Sequence, residues 1–372
     1  MGRDTFTRAS YKTATAAYVP RSGPATQRAQ EQIRRTGKLD PLVDPAEYGV
    51  IRRSLLRFEQ QPNGLFKLTI GCSMPVEIRL DTTGSMGNNV DRALKVLPDQ
   101  YDLCSQFLPG YDVHMAIGIF GDCADDFVLC RPQFEMLAPK IVEQLTLMNP
   151  EHGGAGNGGE DPHYGLFGGA YLVAAYANRI GLRGYDFTIS DEPARDYLSE
   201  RELVRVFGKD VFDKVEANGF TIDRNDLPST EEVVQDLLKR AHAFFLEVDS
   251  YHRSRTHEFW TRMYGPERVI NLPRIELLPQ VQAAIIGLTE GTLSLSDVSS
   301  FLAEAPDVSK DEVKAIENSL ANIPIGAQAA LREGLRVPQK GDLFESKTDL
   351  WPIDPKEVLE TTVVVSDELN WL

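Results

Sequence analysis

The stretch Pro75–Leu80, PVEIRL, followed by Asp81–Asn89, DTTGSMGNN, decides how the rest of this sequence is interpreted. The apolar-rich first run predicts a β-strand, and glycine with asparagine after it predicts a turn. A turn alone does not require Asp81, Thr83 and Ser85 at every second position. This spacing predicts that three oxygen-bearing side chains share one pocket where the strand ends.

Outward from this strand, short apolar runs alternate with helical patterns as far as about residue 294. The later predicted strands are 113–120 (VHMAIGIF), 185–190 (YDFTIS), 242–248 (HAFFLEV) and 268–272 (RVINL). Strands separated by helices are typical of a parallel sheet that is covered on both faces. The predicted fold class is therefore α/β, with a doubly wound, mainly parallel sheet.

Helix signals fill the gaps between these strands. Residues 165–180 (GLFGGAYLVAAYANRI) predict one continuous helix, and Pro98 predicts a kink in the helix that follows the DTTGS turn. Two Ser-x-x-Glu patterns, Ser199 with Glu202 and Ser229 with Glu232, predict helices that begin with capping boxes.

The sequence divides into four parts. Residues 1–40 contain eight basic and three acidic residues and predict a flexible basic arm. Residues 41–70 predict a β-hairpin extension that turns at Gln61–Gly64, and residues 71–294 form the predicted α/β domain. Residues 295–372 predict a helical segment and an acidic tail with no further strand; Trp351 and Trp371 lie in this last part.

Composition excludes several classes of protein. The formal net charge of −16 over 372 residues argues against nucleic-acid binding, which depends on lysine and arginine. The sequence has no apolar run long enough to span a membrane and no apolar stretch typical of a secretion signal. The four cysteines show no CxxC spacing. We therefore expect a cytoplasmic protein without structural disulfides.

Three loops of the predicted domain contain the residues of a candidate metal site. Asp81, Thr83 and Ser85 follow one strand, Asp161 ends the glycine-rich stretch 153–161 (GGAGNGGED), and Asp191 follows the strand 185–190. Carboxylates and hydroxyls at strand ends are hard oxygen ligands, which suit Mg²⁺, Mn²⁺ or Ca²⁺ better than zinc. Without a cation, clustered carboxylates repel one another or take up protons.

These motifs resemble the metal-ion-dependent adhesion site (MIDAS) of von Willebrand factor A-type (vWA) domains, over roughly residues 70–294. The family pattern Asp-x-Ser-x-Ser matches Asp81, Thr83 and Ser85, and its later aspartate matches Asp191. The resemblance implies a Rossmann-like doubly wound sheet, one divalent cation at its top, and a partner protein whose oxygen completes the metal shell. It implies a binding module rather than an enzyme. Intracellular relatives often work beside AAA-type ATPases or in large assemblies.

The sequence departs from the family pattern at two positions. Thr83 replaces a serine and keeps the hydroxyl, whereas the threonine of the middle loop has no match, and Asp161 stands nearest to it. The predicted metal ligands are therefore Asp81, Thr83, Ser85, Asp161 and Asp191. Three carboxylates around a dication would give a formal charge of −1, so we expect tight metal binding and weaker attraction of a partner's carboxylate.

Two alternatives remain open. A magnesium-dependent phosphohydrolase of the haloacid dehalogenase type is suggested by DTTGS together with Gly121–Asp126, GDCADD, in which Asp122 is also a weaker candidate for holding a metal-bound water. Against it, Thr83 stands where such enzymes place their acid–base residue. The other alternative is a structural protein that keeps the fold without a metal.

Overall fold

A six-stranded sheet forms the centre of the computed structural model, which describes residues 27–46, 52–54, 58–150, 160–248 and 253–345. The strands of the described chain are β1 (Arg52–Ser54), β2 (Phe58–Gln60), β3 (Phe66–Leu68), β4 (Cys72–Asp81), β5 (Tyr111–Phe120), β6 (Leu129–Cys130), β7 (Val173–Ala175), β8 (Gly184–Ser190), β9 (Ala241–Val248), β10 (Val269–Leu272) and β11 (Leu343–Phe344). The order in the central sheet is β10-β9-β8-β4-β5-β6, and only β6 is antiparallel to its neighbour. The predicted doubly wound α/β fold is confirmed.

Helices cover both faces of this sheet. They are α1 (Gln27–Thr36), α2 (Asn89–Val96), α3 (Gln100–Gln106), α4 (Ala138–Thr146), α5 (Pro162–Tyr171), α6 (Tyr176–Arg179), α7 (Glu200–Phe207), α8 (Val211–Ala217), α9 (Thr230–Arg240), α10 (Arg253–Tyr264), α11 (Leu278–Glu290), α12 (Leu295–Ala303), α13 (Lys310–Leu320) and α14 (Ala327–Arg332). No helix in the described part of the chain is long and apolar enough to cross a membrane.

Alternate residues of β9 belong to two different cores. Phe244 and Leu246 pack in the core that includes α2, α3 and α11, while Ala243 and Phe245 pack in the core beneath α5, α9 and α10. Because both faces are buried, the strand reads as a continuous apolar run instead of an alternating one.

Pro98 interrupts the first crossover, as predicted. A 3₁₀ turn at Leu97–Asp99 separates α2 from α3. Proline cannot donate the backbone hydrogen bond that a continuous helix needs at this position.

One predicted helix and one predicted capping box were wrong. The helix predicted over residues 165–180 ends at Tyr171, and Val173–Ala175 instead forms β7, which pairs in parallel with Arg52–Ser54. An apolar run of this kind does not distinguish a strand from a helix by periodicity. The helix predicted after Ser199 is present as α7 with Ser199 at its N-cap position, but the capping box is absent: the Ser199 side chain makes no capping hydrogen bond, and Glu202 accepts from Arg205 at 2.9 Å.

The capping box at Ser229 is present, as predicted. The Ser229 hydroxyl accepts from the Glu232 backbone N–H, and the Glu232 carboxylate accepts from the Ser229 N–H at 2.8 Å. These two bonds satisfy donors that would otherwise lack partners in the first turn of α9.

The described part of the N-terminal arm differs from the expected flexible segment. Residues 27–36 form α1, and Leu39 is buried in the main core, as is Val43 just beyond the predicted arm. The Arg131 backbone N–H donates to the Val43 carbonyl at 2.8 Å, which ties this segment to the chain after β6. Residues 1–26 of the predicted arm lie outside the described residues.

A small second sheet joins the region of the predicted hairpin to the C-terminal part of the chain. β2 and β3 are antiparallel, and the Gly64 N–H donates to the Gln61 carbonyl in the turn between them. The expectation that strands stop after residue 294 was wrong, because β11 at Leu343–Phe344 pairs with β3. Its two residues are too few to show a pattern in the sequence. Trp351 and Trp371 lie outside the described residues.

The helix α5 approaches the sheet through three glycines. A Cβ atom on Gly165 would lie 2.5 Å from Cδ of Arg79, and one on Gly168 would lie 2.9 Å from Nη1 of Arg131. A Cβ on Gly169 would lie 3.1 Å from Oδ2 of Asp186. Only glycine therefore lets the helix backbone lie this close to the side chains beneath it.

Those side chains form a buried network of charges in the middle of the sheet. Arg131 donates two hydrogen bonds to Glu77, at 2.5 and 2.8 Å, and Arg79 pairs with Asp186. Buried charges are tolerated where they are paired in this way. Because α5 begins directly after Glu160 and Asp161, this packing also sets the position of these two residues.

Candidate metal centre

The strand order reverses between β4 and β8, and two of the predicted ligands lie at this point. Asp81 is the last residue of β4, and Asp191 follows the last residue of β8. From β4 the chain continues to β5 and β6 on one side, whereas from β8 it continues to β9 and β10 on the other. In open α/β sheets such a switch point leaves a crevice at the carboxyl ends of the strands, where ligands bind.

Asp81 is fully buried, and hydrogen bonds reach both of its carboxylate oxygens. Oδ1 accepts from the Thr83 backbone N–H at 2.8 Å and from the Thr83 hydroxyl at 2.6 Å. Oδ2 accepts from the Ser190 hydroxyl at 2.5 Å. Sequence reasoning missed Ser190, although its place beside Asp191 at the end of a predicted strand could have indicated it.

A chain of hydroxyl groups joins Asp81 to Asp191. The Thr83 and Ser85 hydroxyl oxygens are 3.2 Å apart, and the Ser85 hydroxyl donates to Oδ1 of Asp191 at 2.8 Å. The structure therefore brings four of the five predicted ligands into one network. We call Asp81, Thr83, Ser85 and Asp191 the rim cluster.

Burial makes the charge of Asp81 costly. Burial first, and then the negative charge of Asp191, together raise the pKa of Asp81 to about 7. Among the described residues, no lysine or arginine forms an ion pair with Asp81. A dication at this position would offset the repulsion between the two carboxylates.

The donor set of the rim cluster fits a hard divalent cation. Two carboxylates and two hydroxyls supply oxygen ligands from two separate loops, and Mg²⁺, Mn²⁺ and Ca²⁺ all prefer oxygen. Within the described ranges, no three His, Cys, Asp or Glu side chains group together in a way that could hold a metal ion. Any metal here would therefore depend on the hydroxyls as well as on the two aspartates.

Asp161 forms its hydrogen bonds with residues outside the rim cluster. It is fully buried; Arg195 pairs with its Oδ1, and the Cys123 backbone N–H donates to its Oδ2 at 2.6 Å. Within the described chain, no hydrogen bond joins Asp161 to the rim cluster. Metal ligation by Asp161 stays a prediction.

Asp122 shares Arg195 with Asp161. Its Oδ2 lies 3.1 Å from Nη2 of Arg195, and its Oδ1 accepts from the Ala124 N–H at 2.7 Å. Asp125 accepts in turn from the Asp122 N–H at 3.0 Å. The GDCADD segment thus forms the turn between β5 and β6, and its first aspartate helps to hold Arg195.

Glu160 is the acidic neighbour that sequence reasoning missed. Burial first, and then the negative charges of Asp81 and other nearby carboxylates, together raise the pKa of Glu160 to about 8. Its Oε2 is buried and has no hydrogen-bond partner in the described part of the chain. Its place directly before Asp161 in the sequence was the signal that could have identified it.

Helix α10 holds the loop that contains Asp191. The Thr256 hydroxyl donates to the Asp191 carbonyl at 3.0 Å, and the Trp260 indole N–H donates to the Glu192 carbonyl at 3.0 Å. Thr256 and Trp260 are four residues apart and so lie on the same face of the helix. Two successive carbonyls are thereby fixed, which orients the Asp191 side chain toward Ser85.

Comparison with known proteins gives structural similarity only. No family model and no curated protein matches the chain. The von Willebrand factor domain of the type V pilus tip protein Mfa5 from Porphyromonas gingivalis is 10% identical, with a TM-score of 0.40, over 60% of this chain and 97% of that one. The pilus adhesin SpaC from Lactobacillus rhamnosus GG is 13% identical, with a TM-score of 0.36, over 63% of this chain and 34% of that one.

A mussel protein is similar in structure at a comparably low sequence identity and TM-score. Proximal thread matrix protein 1 from the mussel byssus, with a zinc-occupied MIDAS motif, is 9% identical, with a TM-score of 0.32. The match covers 58% of this chain and 48% of that one. The conclusion on the fold rests on the strand order and on the position of the rim cluster. By both, the chain has a doubly wound, mainly parallel α/β fold with the rim cluster at the switch point of the sheet.

Proposed function

We propose that the protein is a metal-dependent protein interaction module. The rim cluster would hold one divalent cation, Mg²⁺ under cellular conditions, at the switch point of the sheet. The observation that supports this most is the hydroxyl chain from Asp81 through Thr83 and Ser85 to Asp191. It places hard oxygen donors from two loops beside a buried carboxylate that lacks a described cationic partner.

The chain's own residues define what the site can do. A bound divalent cation would supply positive charge that attracts one further oxygen. Asp81 and Asp191 balance its charge, the hydroxyls of Thr83 and Ser85 orient the carboxylates, and α10 fixes the Asp191 loop. A partner protein would be bound by presenting an oxygen-bearing side chain to this rim, without any covalent step.

The cellular compartment and the kind of partner are part of the same proposal. All four cysteines lie among the described residues and form no disulfide there, which fits a reducing cytoplasm. For the partner we propose a component of a larger intracellular assembly; an AAA-type ATPase is the class that the vWA resemblance suggests. We propose no enzymatic activity, and release of phosphate from a generic phosphomonoester, abolished by Asp81→Ala, would contradict this.

Calorimetry and thermal melts on the full chain test the proposal. Wild type should bind Mg²⁺ and melt at a higher temperature in Mg²⁺ than in EDTA, because a ligand that binds only the folded state stabilises it. Asp81→Ala should lose both effects, and the matched variant Asp210→Ala, at an exposed acid of α8's N-terminus, should keep them. Equal melting of wild type in Mg²⁺ and EDTA, without heat of binding, would refute metal dependence.

A pull-down then tests the partner. We expect a partner retained by wild type in Mg²⁺ to be lost both in EDTA and with Asp81→Ala. A partner retained equally under all three conditions would contradict binding through the cation.

A further inference from the structure

We propose that Asn63 is a site of spontaneous modification, at which water replaces the side-chain amide with a carboxylate. Asn63 precedes Gly64 in the exposed turn between β2 and β3. The reaction needs no enzyme and no cation, and it involves no residue of the rim cluster. Its chemistry is therefore independent of the proposed function.

The modification proceeds through a cyclic imide. The Gly64 backbone nitrogen attacks Cγ of Asn63, a bond forms between these two atoms, and the bond from Cγ to Nδ2 breaks. The amide nitrogen leaves as ammonia and takes with it the proton of the Gly64 N–H. Water then opens the imide: cleavage at Cγ gives aspartate, and cleavage at the main-chain carbonyl carbon of residue 63 gives isoaspartate. Nothing is oxidised or reduced.

Glycine after the asparagine makes this attack possible. Glycine has no Cβ atom that would obstruct the approach of its nitrogen to the neighbouring side chain. Around Gly64 the space is open, since no atom lies within 4 Å of the position that a Cβ would take. The sequence contains two further Asn-Gly pairs, of which Asn157–Gly158 lies outside the described residues and Asn218–Gly219 lies within them.

The two described Asn-Gly pairs have nearly the same backbone. Gly64 has a φ of +85° and Gly219 a φ of +87°. The Gly64 N–H donates to the Gln61 carbonyl at 2.9 Å, and the Gly219 N–H donates to the Glu216 carbonyl, also three residues earlier, at 2.9 Å. Because the attacking nitrogen is held in the same way in both turns, the backbone does not distinguish their reactivity.

The side-chain amides of the two pairs differ. Nδ2 of Asn218 donates to the Tyr171 carbonyl at 2.7 Å and to the Val173 carbonyl at 3.2 Å, so two hydrogen bonds hold the leaving nitrogen. Oδ1 of Asn63 accepts from the Leu65 N–H at 3.1 Å, and no hydrogen bond in the described part of the chain holds its Nδ2. Asn63 is also exposed, so water has access to the imide.

The position of Asn63 gives the modification a structural effect. The turn joins β2 to β3, and β3 is the middle strand of the small sheet that also contains β11. Aspartate adds a negative charge, whereas isoaspartate in addition places one more atom in the main chain. Since turn geometry and loop length set the register of a hairpin, the isoaspartyl product alters the connection between the strands as well as their charge.

Ageing of the full chain at neutral pH, followed by peptide mapping with mass spectrometry, tests the proposal. The conversion of each Asn-Gly pair is measured separately, and isoaspartate is detected with an isoaspartyl methyltransferase. The same incubation in urea serves as the reference, because the unfolded chain offers no structural protection. Asn63→Ser, which removes the amide, assigns the signal.

The folded and unfolded chains should behave differently. In the folded chain we expect Asn63 to be converted about tenfold or more faster than Asn218, since two hydrogen bonds must break before the Asn218 amide can leave. In urea the two rates should converge, because neither bond survives unfolding. Asn63→Ser should remove the product at position 63 and leave the rate at Asn218 unchanged.

Three results would overturn the proposal. Conversion of Asn63 in urea but not in the folded chain would show that the turn protects it. Equal rates at Asn63 and Asn218 in the folded chain would show that the side-chain hydrogen bonds do not control the reaction. A difference between the two positions that persists in urea would trace it to the neighbouring sequence rather than to the fold.

Discussion

At the scale of single residues, the Thr83 hydroxyl is the central link of the rim cluster. It donates to Oδ1 of Asp81 at 2.6 Å and lies 3.2 Å from the Ser85 hydroxyl oxygen. Threonine and serine both supply this hydroxyl, whereas valine keeps the shape of threonine without it. Substitutions at position 83 can therefore separate the contribution of the hydroxyl oxygen to metal binding from that of side-chain packing.

Thr83→Val should weaken Mg²⁺ binding by about tenfold or more, because it removes an oxygen donor and a carboxylate-orienting hydrogen bond. Thr83→Ser, the matched control, should stay within about threefold of wild type. Calorimetric titration of both variants checks this. Equal affinities of Thr83→Val and wild type would show that the hydroxyl takes no part in metal binding.

Sequence spacing identified the rim cluster but not its surroundings. Asp81, Thr83, Ser85 and Asp191 all follow predicted strand ends, so a short pattern sufficed to place them together. The partner of Asp161 could not be predicted, because Arg195 lies 34 positions away on another loop. Only the folded chain shows which of two adjacent acids is paired and which is not.

At the scale of elements, α5 depends on its glycine face. Alanine normally stabilises a helix interior relative to glycine by roughly 0.5–1 kcal/mol. At Gly165, however, a Cβ atom would lie 2.5 Å from Cδ of Arg79, which is too close for real atoms. The two effects therefore have opposite signs at this position.

Gly165→Ala should lower the free energy of unfolding by about 1–3 kcal/mol, because overpacking outweighs helix propensity. Urea denaturation in EDTA measures the change without any contribution from a cation. An increase in stability would show that Arg79 moves aside and that the close approach is not a constraint.

Another element-scale prediction concerns the contact between β8 and the end of α11. The Tyr185 hydroxyl donates to Oε1 of Glu290 at 2.7 Å, and burial raises the pKa of Glu290 to about 7. In the unfolded chain this carboxyl ionises near 4.5. The folded state thus binds more protons between these values, and stability falls as pH rises through them.

Glu290→Gln should remove this pH dependence. We expect the wild-type free energy of unfolding to lose on the order of 2–3 kcal/mol from this residue between pH 5 and pH 8. The variant should show a correspondingly smaller loss, and Glu333→Gln, at an exposed position, should behave as wild type does. Urea denaturation at the two pH values measures it; identical slopes in all three proteins would contradict the assignment.

Element predictions succeeded where one physical signal dominated. Pro98 interrupts the helix because proline lacks a backbone N–H donor, and the capping box at Ser229 forms through two reciprocal hydrogen bonds. Both signals involve residues that are close in the sequence. The strand Val173–Ala175 was missed because its pairing partner, Arg52–Ser54, is remote in sequence. Its apolar residues are equally compatible with a helix and a strand. Pairing with the distant segment Arg52–Ser54 determines that they form a strand.

At the scale of the whole molecule, the segment before the first strand belongs to the domain. Val43 is fully buried in the main core, and its carbonyl accepts from the Arg131 N–H at 2.8 Å. At the other end of the described chain, β11 joins the small sheet of β2 and β3. Both ends of the described chain therefore pack around the α/β sheet.

Val43→Ala should lower the free energy of unfolding by about 1–3 kcal/mol and leave a single transition, since the segment unfolds with the rest. Gln30→Ala, on an exposed position of α1, serves as the matched control and should have little effect. Urea denaturation followed by two spectroscopic probes is the measurement. A separate early transition would show that the segment is an independent unit.

The close packing of α5 has a consequence for the whole rim. A Cβ atom on Gly165, Gly168 or Gly169 would lie within 2.5–3.1 Å of Arg79, Arg131 or Asp186, so the helix backbone has little room to shift against these buried side chains. Glu160 and Asp161, which directly precede the helix, are thereby held in a fixed position relative to the sheet. Substitution of either acid should therefore change the local charge while the scaffold underneath stays as it is.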